Sequence, residues 1–136
     1  AQMSSWVGME GLSPAARAFD GNTPIPLSVT PERTANRADL IVRDSSGREV
    51  QRHALDPSAS DVQWTGRDDF GLSAMPGLYT FSVESFLGET SLAETPVQSY
   101  SRLVEARLEN GATVLVTEEG AEISADLISG IRKPAL

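Results

Sequence analysis

Three observations predict an all-β chain built around a fibronectin type III or immunoglobulin-like sandwich. First, Val62 and Trp64 alternate like the end of a half-buried strand, and Tyr79, Phe81 and Val83 share one face of a second. Successive strand residues point to opposite sides of a sheet, so a period of two in aromatic and β-branched residues marks one buried face. Second, Gly66, Asp68, Asp69, Gly71 and Pro76-Gly77 fill the interval with turn formers. Glycine tolerates positive φ, and an aspartate can accept hydrogen bonds from backbone NH groups two residues on. Third, short β-type runs recur along the whole chain with no helical pattern of about ten residues between them.

In order, the expected strands are Trp6–Glu10, Ile25–Val29, Ala38–Arg43, Glu49–Leu55, Val62–Thr65, Leu78–Phe86, Ser91–Val97, Ser101–Leu108, Ala112–Thr117 and Ala121–Ser124. Turns fall at Asp44-Ser45-Ser46-Gly47 and Phe86-Leu87-Gly88. Asn110-Gly111 is the strongest hairpin signal, because both positions accept the positive φ of a type I′ turn. Glu118-Glu119-Gly120 reads as a further hairpin tip. One helical turn is expected over Ser124–Gly130, capped by Ser124 and stopped by Gly130. Residues 1–5 suit the end of a helix that begins earlier in a longer chain.

The chain has 136 residues, 40% hydrophobic and 22% charged, an ordinary globular composition. Its net charge of −8 argues against nucleic acid and anionic membrane surfaces as partners, because both demand clustered Lys and Arg. With no cysteine, disulfides and thiolate metal sites or nucleophiles are ruled out. No apolar run approaches the ~20 residues of a membrane span, and no signal peptide opens the sequence.

Residues that suggest chemistry have simpler readings. His53 is the only histidine; its polar neighbours make it a solvent-facing strand residue, and no nucleophile is marked for it to serve. Asp68 and Asp69 lack the alternating spacing and distal bidentate Glu of a calcium loop. Asp68 is instead expected to cap the backbone of its own loop. Glu105, Glu109 and the Glu118-Glu119 pair are assigned to solvated hairpin surfaces rather than to a glycosidase pair. The alternation of Trp64 with Val62 places it in a sandwich core rather than on a carbohydrate platform. No catalytic residue, cofactor or metal ligand is therefore assigned, and an enzyme is not expected.

The pattern Trp64-x-Gly66-x-Asp68-x-x-Gly71, followed by Pro76-x-x-Tyr79-x-Phe81, resembles the signature of flagellar hook-capping proteins, also called basal-body rod modification or hook scaffolding proteins. Ser5-Trp6-Val7-Gly8-Met9-Glu10 is similar to that family's opening strand, with Met9 where a basic residue is usual. Gly111 to Ile131 is similar to its closing hairpin and its D-[IV]-x-x-I segment, here Asp126 to Ile131. The resemblance implies that both chain ends, residues 1–21 and 97–136, build a small Tudor-like (SH3-like) barrel into which a sandwich of residues 22–96 is inserted. Trp64, Gly66, Asp68, Gly71, Gly77 and Tyr79 then have structural roles. It further implies a non-catalytic cap: a protein exported by the flagellar type III secretion apparatus to the tip of the growing hook. There several copies would self-associate, help hook subunits polymerise, and be absent from the finished flagellum. An N-terminal region absent from this sequence would serve export and attachment. The alternative is an extracellular accessory sandwich that binds glycan or protein.

Overall fold

The computed structural model describes residues 2–135. Among them the strands are β1 (Glu10–Ser13), β2 (Arg17–Phe19), β3 (Ile25–Ser28), β4 (Arg37–Arg43), β5 (Glu49–Leu55), β6 (Asp61–Trp64), β7 (Gly77–Leu87), β8 (Thr90–Pro96), β9 (Ser99–Glu109), β10 (Ala112–Thr117), β11 (Glu122–Ser124) and β12 (Gly130–Arg132). The chain is all-β apart from two short 3₁₀ turns, Gln2–Trp6 and Ala125–Leu127.

The sandwich is formed by a sheet of order β2-β7-β4-β5, with β8 also paired to β7, and by the two-stranded β3–β6 sheet. A bridge from Ser28 to Gln98 extends the smaller sheet toward the following strand. Inward residues of both sheets meet in one core: Phe19, Ile25, Leu27, Leu40, Val42, Trp64, Tyr79, Phe81, Val83 and Val97 among them. This is the interdigitation of alternating inner faces that holds a sandwich together. On the outer face, Ile41 is fully buried although it lies opposite Arg52 and Ser82. The Arg52 guanidinium, on the strand position opposite Ile41, donates to Glu49, Asp39 and Glu84.

A second sheet, of order β11-β10-β9-β1-β12, draws on both ends of the chain. β1 lies between β9 and β12, with Gly11 opposite Ser101 on one side and Ile131 on the other. Leu103, Leu115, Ile123 and Ala125 form its core, backed by Trp6, Ile128 and Ile131. A side chain at Gly11 would stand 3.0 Å from Leu103 Cδ1, so the glycine lets β1 lie close over that leucine. Among the described residues no ladder joins β11 to β12; the hydrogen-bonded path runs open from one to the other.

Two local expectations change. The run Trp6–Glu10 is not a continuous strand: a 3₁₀ turn ends at Trp6, Gly8 takes φ +91°, and the strand begins only at Glu10. Ala1, within the stretch expected to end a helix, lies outside the described residues. Residues 17–19, within the segment assigned to the barrel, pair with β7, and Phe19 enters the sandwich core. The Asn110-Gly111 turn forms with φ of 52° and 80°. Ser124 caps the Ala125–Leu127 turn by accepting from the Asp126 NH.

The two sheets are tied by a side chain expected to be solvated. Glu119 is only 13% exposed; it accepts from Arg17 Nε at 2.7 Å, from the Ala18 NH and from Ser101 Oγ at 3.3 Å. A hairpin tip of one sheet thereby clamps an edge strand of the other. The correction has a physical cause: the turn places Glu119 beside the unpaired edge of β2, whose NH needs an acceptor.

Candidate functional site

The segment linking β6 to β7 is held by a set of backbone and side-chain hydrogen bonds. It starts from Trp64, 2% exposed, whose ring centroid lies 4.8 Å from Phe19, 5.1 Å from Tyr79 and 5.2 Å from Phe81. The indole Nε1–H donates to Gln51 Oε1 at 2.8 Å, and Gln51 Nε2 donates to the Gly66 carbonyl at 3.0 Å. Because the indole can only donate and the carbonyl only accept, the amide orientation of Gln51 is determined. Gln51 thus satisfies the buried indole and anchors the start of the loop in one step.

Gly66 follows at φ +85°, and a side chain there would stand 2.1 Å from Phe19 Cζ. Its carbonyl also accepts from the Ala74 NH. The Asp68 carboxylate Oδ1 accepts from the NH groups of Phe70 and Leu72, each at 2.9 Å. The Asp68 NH in turn donates to the Leu72 carbonyl, and the Gly71 NH to the Asp68 carbonyl. Gly71 has φ +81° but open space where a side chain would sit. Arg67 Nη1 donates to the Gly71 carbonyl, and the Tyr79 hydroxyl to the Met75 carbonyl at 2.6 Å. Gly77 is different, with open space around it and no positive φ. Nothing in the structure demands glycine there.

Aspartates begin the neighbouring loops in the same way. Asp20, Asp44 and Asp56 each accept from the backbone NH two residues on. The Thr23 hydroxyl and the Thr23 and Asn22 NH groups hold Asp20 down at about 2, from the ordinary 3.8. The Ser46 hydroxyl lowers Asp44, and the Ser58 NH lowers Asp56.

His53 is not solvent-facing as expected but half-buried on the inner side of β5. Its Nε2 donates to Gln51 Oε1 at 2.8 Å, and its Nδ1 lies 3.5 Å from the exposed Asp69 carboxylate. The arrangement joins loop to strand.

The loop's apolar residues were not singled out from sequence. Phe70 is 90% exposed, Met75 78% and Leu72 68%. Strand periodicity says nothing about them, because they lie in the turn-rich interval between two strands. Leu72 and Met75 border a cleft of about 420 Å³ whose lining also includes Val50, Leu78 and Tyr79, with Asp44 and Arg48. What this end of the molecule offers is a shaped, partly apolar surface.

Fold and site together define an immunoglobulin-like sandwich that presents a rigid loop end and is set against a sheet made from both chain termini. The family model for the FlgD Ig-like domain matches residues 13–89. The chain belongs to that family. Its fold is also that of FlgD from P. aeruginosa, with TM-score 0.74 and 18% identity over 91% of this chain and 97% of the other. FlgD from Xanthomonas campestris, solved in connection with hook capping essential for flagellar assembly, is similar at TM-score 0.66. It is 16% identical over 96% of this chain and 95% of its own. No curated protein matches.

Proposed function

We propose that this chain is a hook-assembly scaffold, acting by shape rather than catalysis at the distal end of the growing flagellar hook. The observation that carries the reading is the family match across the sandwich, residues 13–89. The likeness to the P. aeruginosa and X. campestris proteins supports it by extending over the sheet of both chain ends as well. In this reading the protein leaves the cell through the flagellar export apparatus, several copies form a transient cap, and the cap promotes addition of hook subunits. It is then absent from the finished flagellum. The described surface suits that work, since binding by shape needs preorganised side chains.

The test is genetic and structural. Cells whose copy of the protein lacks the sandwich should build basal bodies without hooks and release unpolymerised hook subunit into the medium. Normal hooks in such cells would overturn the proposal. Saturable binding of a simple polysaccharide by the purified chain, with hooks unaffected by its loss, would favour an extracellular accessory module.

A further inference from the structure

We infer that the free edge of β6 is a docking edge for an extended peptide of a partner protein. The peptide adds a third strand to the β3–β6 sheet and presents Lys or Arg to the carboxylates beside it. Pro26 fixes which backbone groups are offered. In an antiparallel pair, opposed residues alternate between exchanging both hydrogen bonds and exchanging none. Pro26 has no NH to give and stands opposite Gln63, so theirs is a pair without bonds. The bonded pairs are then Ile25 with Trp64 and Leu27 with Val62. Two further contacts obey the same alternation. The Val29 NH donates to the Ser60 carbonyl, and the Ser28 NH and carbonyl are both taken by Gln98, on the side away from β6. The NH and carbonyl groups of Asp61 and Gln63 therefore point away from β3. Among the described residues none of these four groups has a partner, and both residues are exposed. Such a row of unpaired groups is a template for another strand.

The opposite sheet shows what the edge lacks. Two strands, β3 and β6, face a sheet of five, of which β5 is an edge strand. The inward residues of β5, Gln51, His53 and Leu55, are only half-buried, whereas Leu40, Val42, Phe81 and Val83 on its neighbours are buried. A cleft of about 340 Å³ lies between β5 and β6, lined on its apolar side by Leu40, Leu55, Val62 and Trp64. A strand added at the usual ~4.8 Å from β6 would lie over this cleft, with every second side chain entering it. The ladder then supplies affinity, and the cleft selects apolar residues at alternate positions.

Charge selects the outward positions. Asp61 on β6, with Asp68 and Asp69 just beyond it, stands against a single guanidinium, Arg67, which donates to the Gly71 carbonyl. Asp68 is engaged by the NH groups of its own loop, but Asp69 is 79% exposed. A strand with Lys or Arg on its solvent side is attracted here, and an acidic strand is repelled. This pairing is independent of the hook-assembly reading.

The test is selection of binders from a displayed library of random twelve-residue peptides on the 136-residue chain, followed by amide NMR with the recovered peptides made synthetically. Those peptides should alternate apolar residues with Lys or Arg. The shifted amides should be those of residues 53–55 and 61–65. The Gln63 amide should exchange quickly with solvent in the free chain and slowly in the complex, while Val62 and Trp64 are protected in both. Gln63→Pro removes an outward NH without touching the β3–β6 ladder, and should weaken binding at least about tenfold. Asp61→Lys should weaken it severalfold, and Leu92→Ser on the other edge strand, β8, should leave it unchanged. Thermal midpoints identify variants that remain folded, and Asp61→Lys carries the test should Gln63→Pro unfold. Four results would overturn the inference: no specific peptide recovered, shifts confined to another surface, wild-type binding by folded Gln63→Pro or by Asp61→Lys, or a Gln63 amide already protected in the free chain. Protection of that amide which grows with the chain's own concentration would assign the edge to a second copy and overturn it equally.

Discussion

Substituting alanine at three glycines in and beside the β6–β7 loop separates two costs that are usually confounded. At Gly66 both apply: φ is +85°, and the new Cβ would stand 2.1 Å from Phe19 Cζ and within 2.8 Å of two further ring atoms. A left-handed conformation costs a non-glycine residue ~1–2 kcal/mol. Forcing extra volume into a packed core adds ~1–3 kcal/mol, and Phe19 cannot yield freely because Trp64 lies 4.8 Å from it, centroid to centroid. Gly66→Ala should therefore destabilise by about 2–5 kcal/mol. Gly71→Ala meets open space at φ +81°, so only the conformational cost of ~1–2 kcal/mol applies. Gly77→Ala meets neither obstacle and should be neutral or stabilising by up to ~1 kcal/mol, through the lost entropy of the unfolded chain. Denaturant unfolding followed by far-UV circular dichroism would give all three values under one condition. Equal losses at Gly66 and Gly71 would refute the claim that the Phe19 ring, rather than backbone conformation, is what demands glycine at 66.

Glu119→Ala should cost ~2–3 kcal/mol, because it leaves the half-buried Arg17 guanidinium and the Ala18 NH without an acceptor; a loss below ~0.5 kcal/mol in denaturant unfolding would mean that the joint does not depend on this clamp. Acid should destabilise the protein in a defined window. Asp20, Asp44 and Asp56 are held below their ordinary values by NH and hydroxyl donors, and Glu49 and Glu94 are lowered chiefly by Arg52 and Arg43. Depressed carboxylates add stability that is complete above their unfolded values near 4 and lost as pH falls through the folded ones; the thermal midpoint should be level from about pH 8 to 5.5 and fall toward pH 2, and a midpoint that rises on acidification would contradict the assigned donors. Deleting residues 1–11 removes the 3₁₀ turn and half of β1, the strand between β9 and β12, so NMR signals from residues 101–131 should lose dispersion while those of the sandwich persist; dispersed tail signals would refute the dependence of one chain end on the other.

The strands with long alternating or β-branched runs were legible. β4, β5, β7 and β10 differ from their expected ranges by at most a residue at either end. β2 and β12 were not, because Arg-Ala-Phe and Gly-Ile-Arg carry too few apolar positions to show a period. Their extended conformation comes from pairing with β7 and β1. Trp64, Tyr79 and the capping role of Asp68 follow from local chemistry that a few residues suffice to reveal. Gln51, His53 and Glu119 could not be placed that way. Each is polar on a segment that reads as solvent-facing; Gln51 and Glu119 are drawn inward by partners 13 or more positions away, the Trp64 indole and the Arg17 guanidinium, and His53 follows Gln51, to whose amide oxygen it donates. A polar side chain is buried when a distant donor or acceptor needs it, and spacing along the chain does not record that need.

The loop also shows why a motif can identify a fold while leaving its work unsaid. Trp64, Gly66, Asp68 and Tyr79 all spend their interactions inside the molecule, on aromatic contacts, a ring-filled gap and backbone NH or carbonyl groups. The residues turned outward, Phe70, Leu72 and Met75, occupy the positions between them. The internal set holds the backbone still, which removes the conformational entropy that a mobile loop would lose on binding. The intervening set is free to vary in shape without disturbing that frame, because its side chains make no core contact. Recognition by a scaffold of this kind is thus separable from its stability. Substituting Phe70 or Met75 should alter what the surface holds and leave the unfolding midpoint in place, whereas substituting Asp68 should lower both.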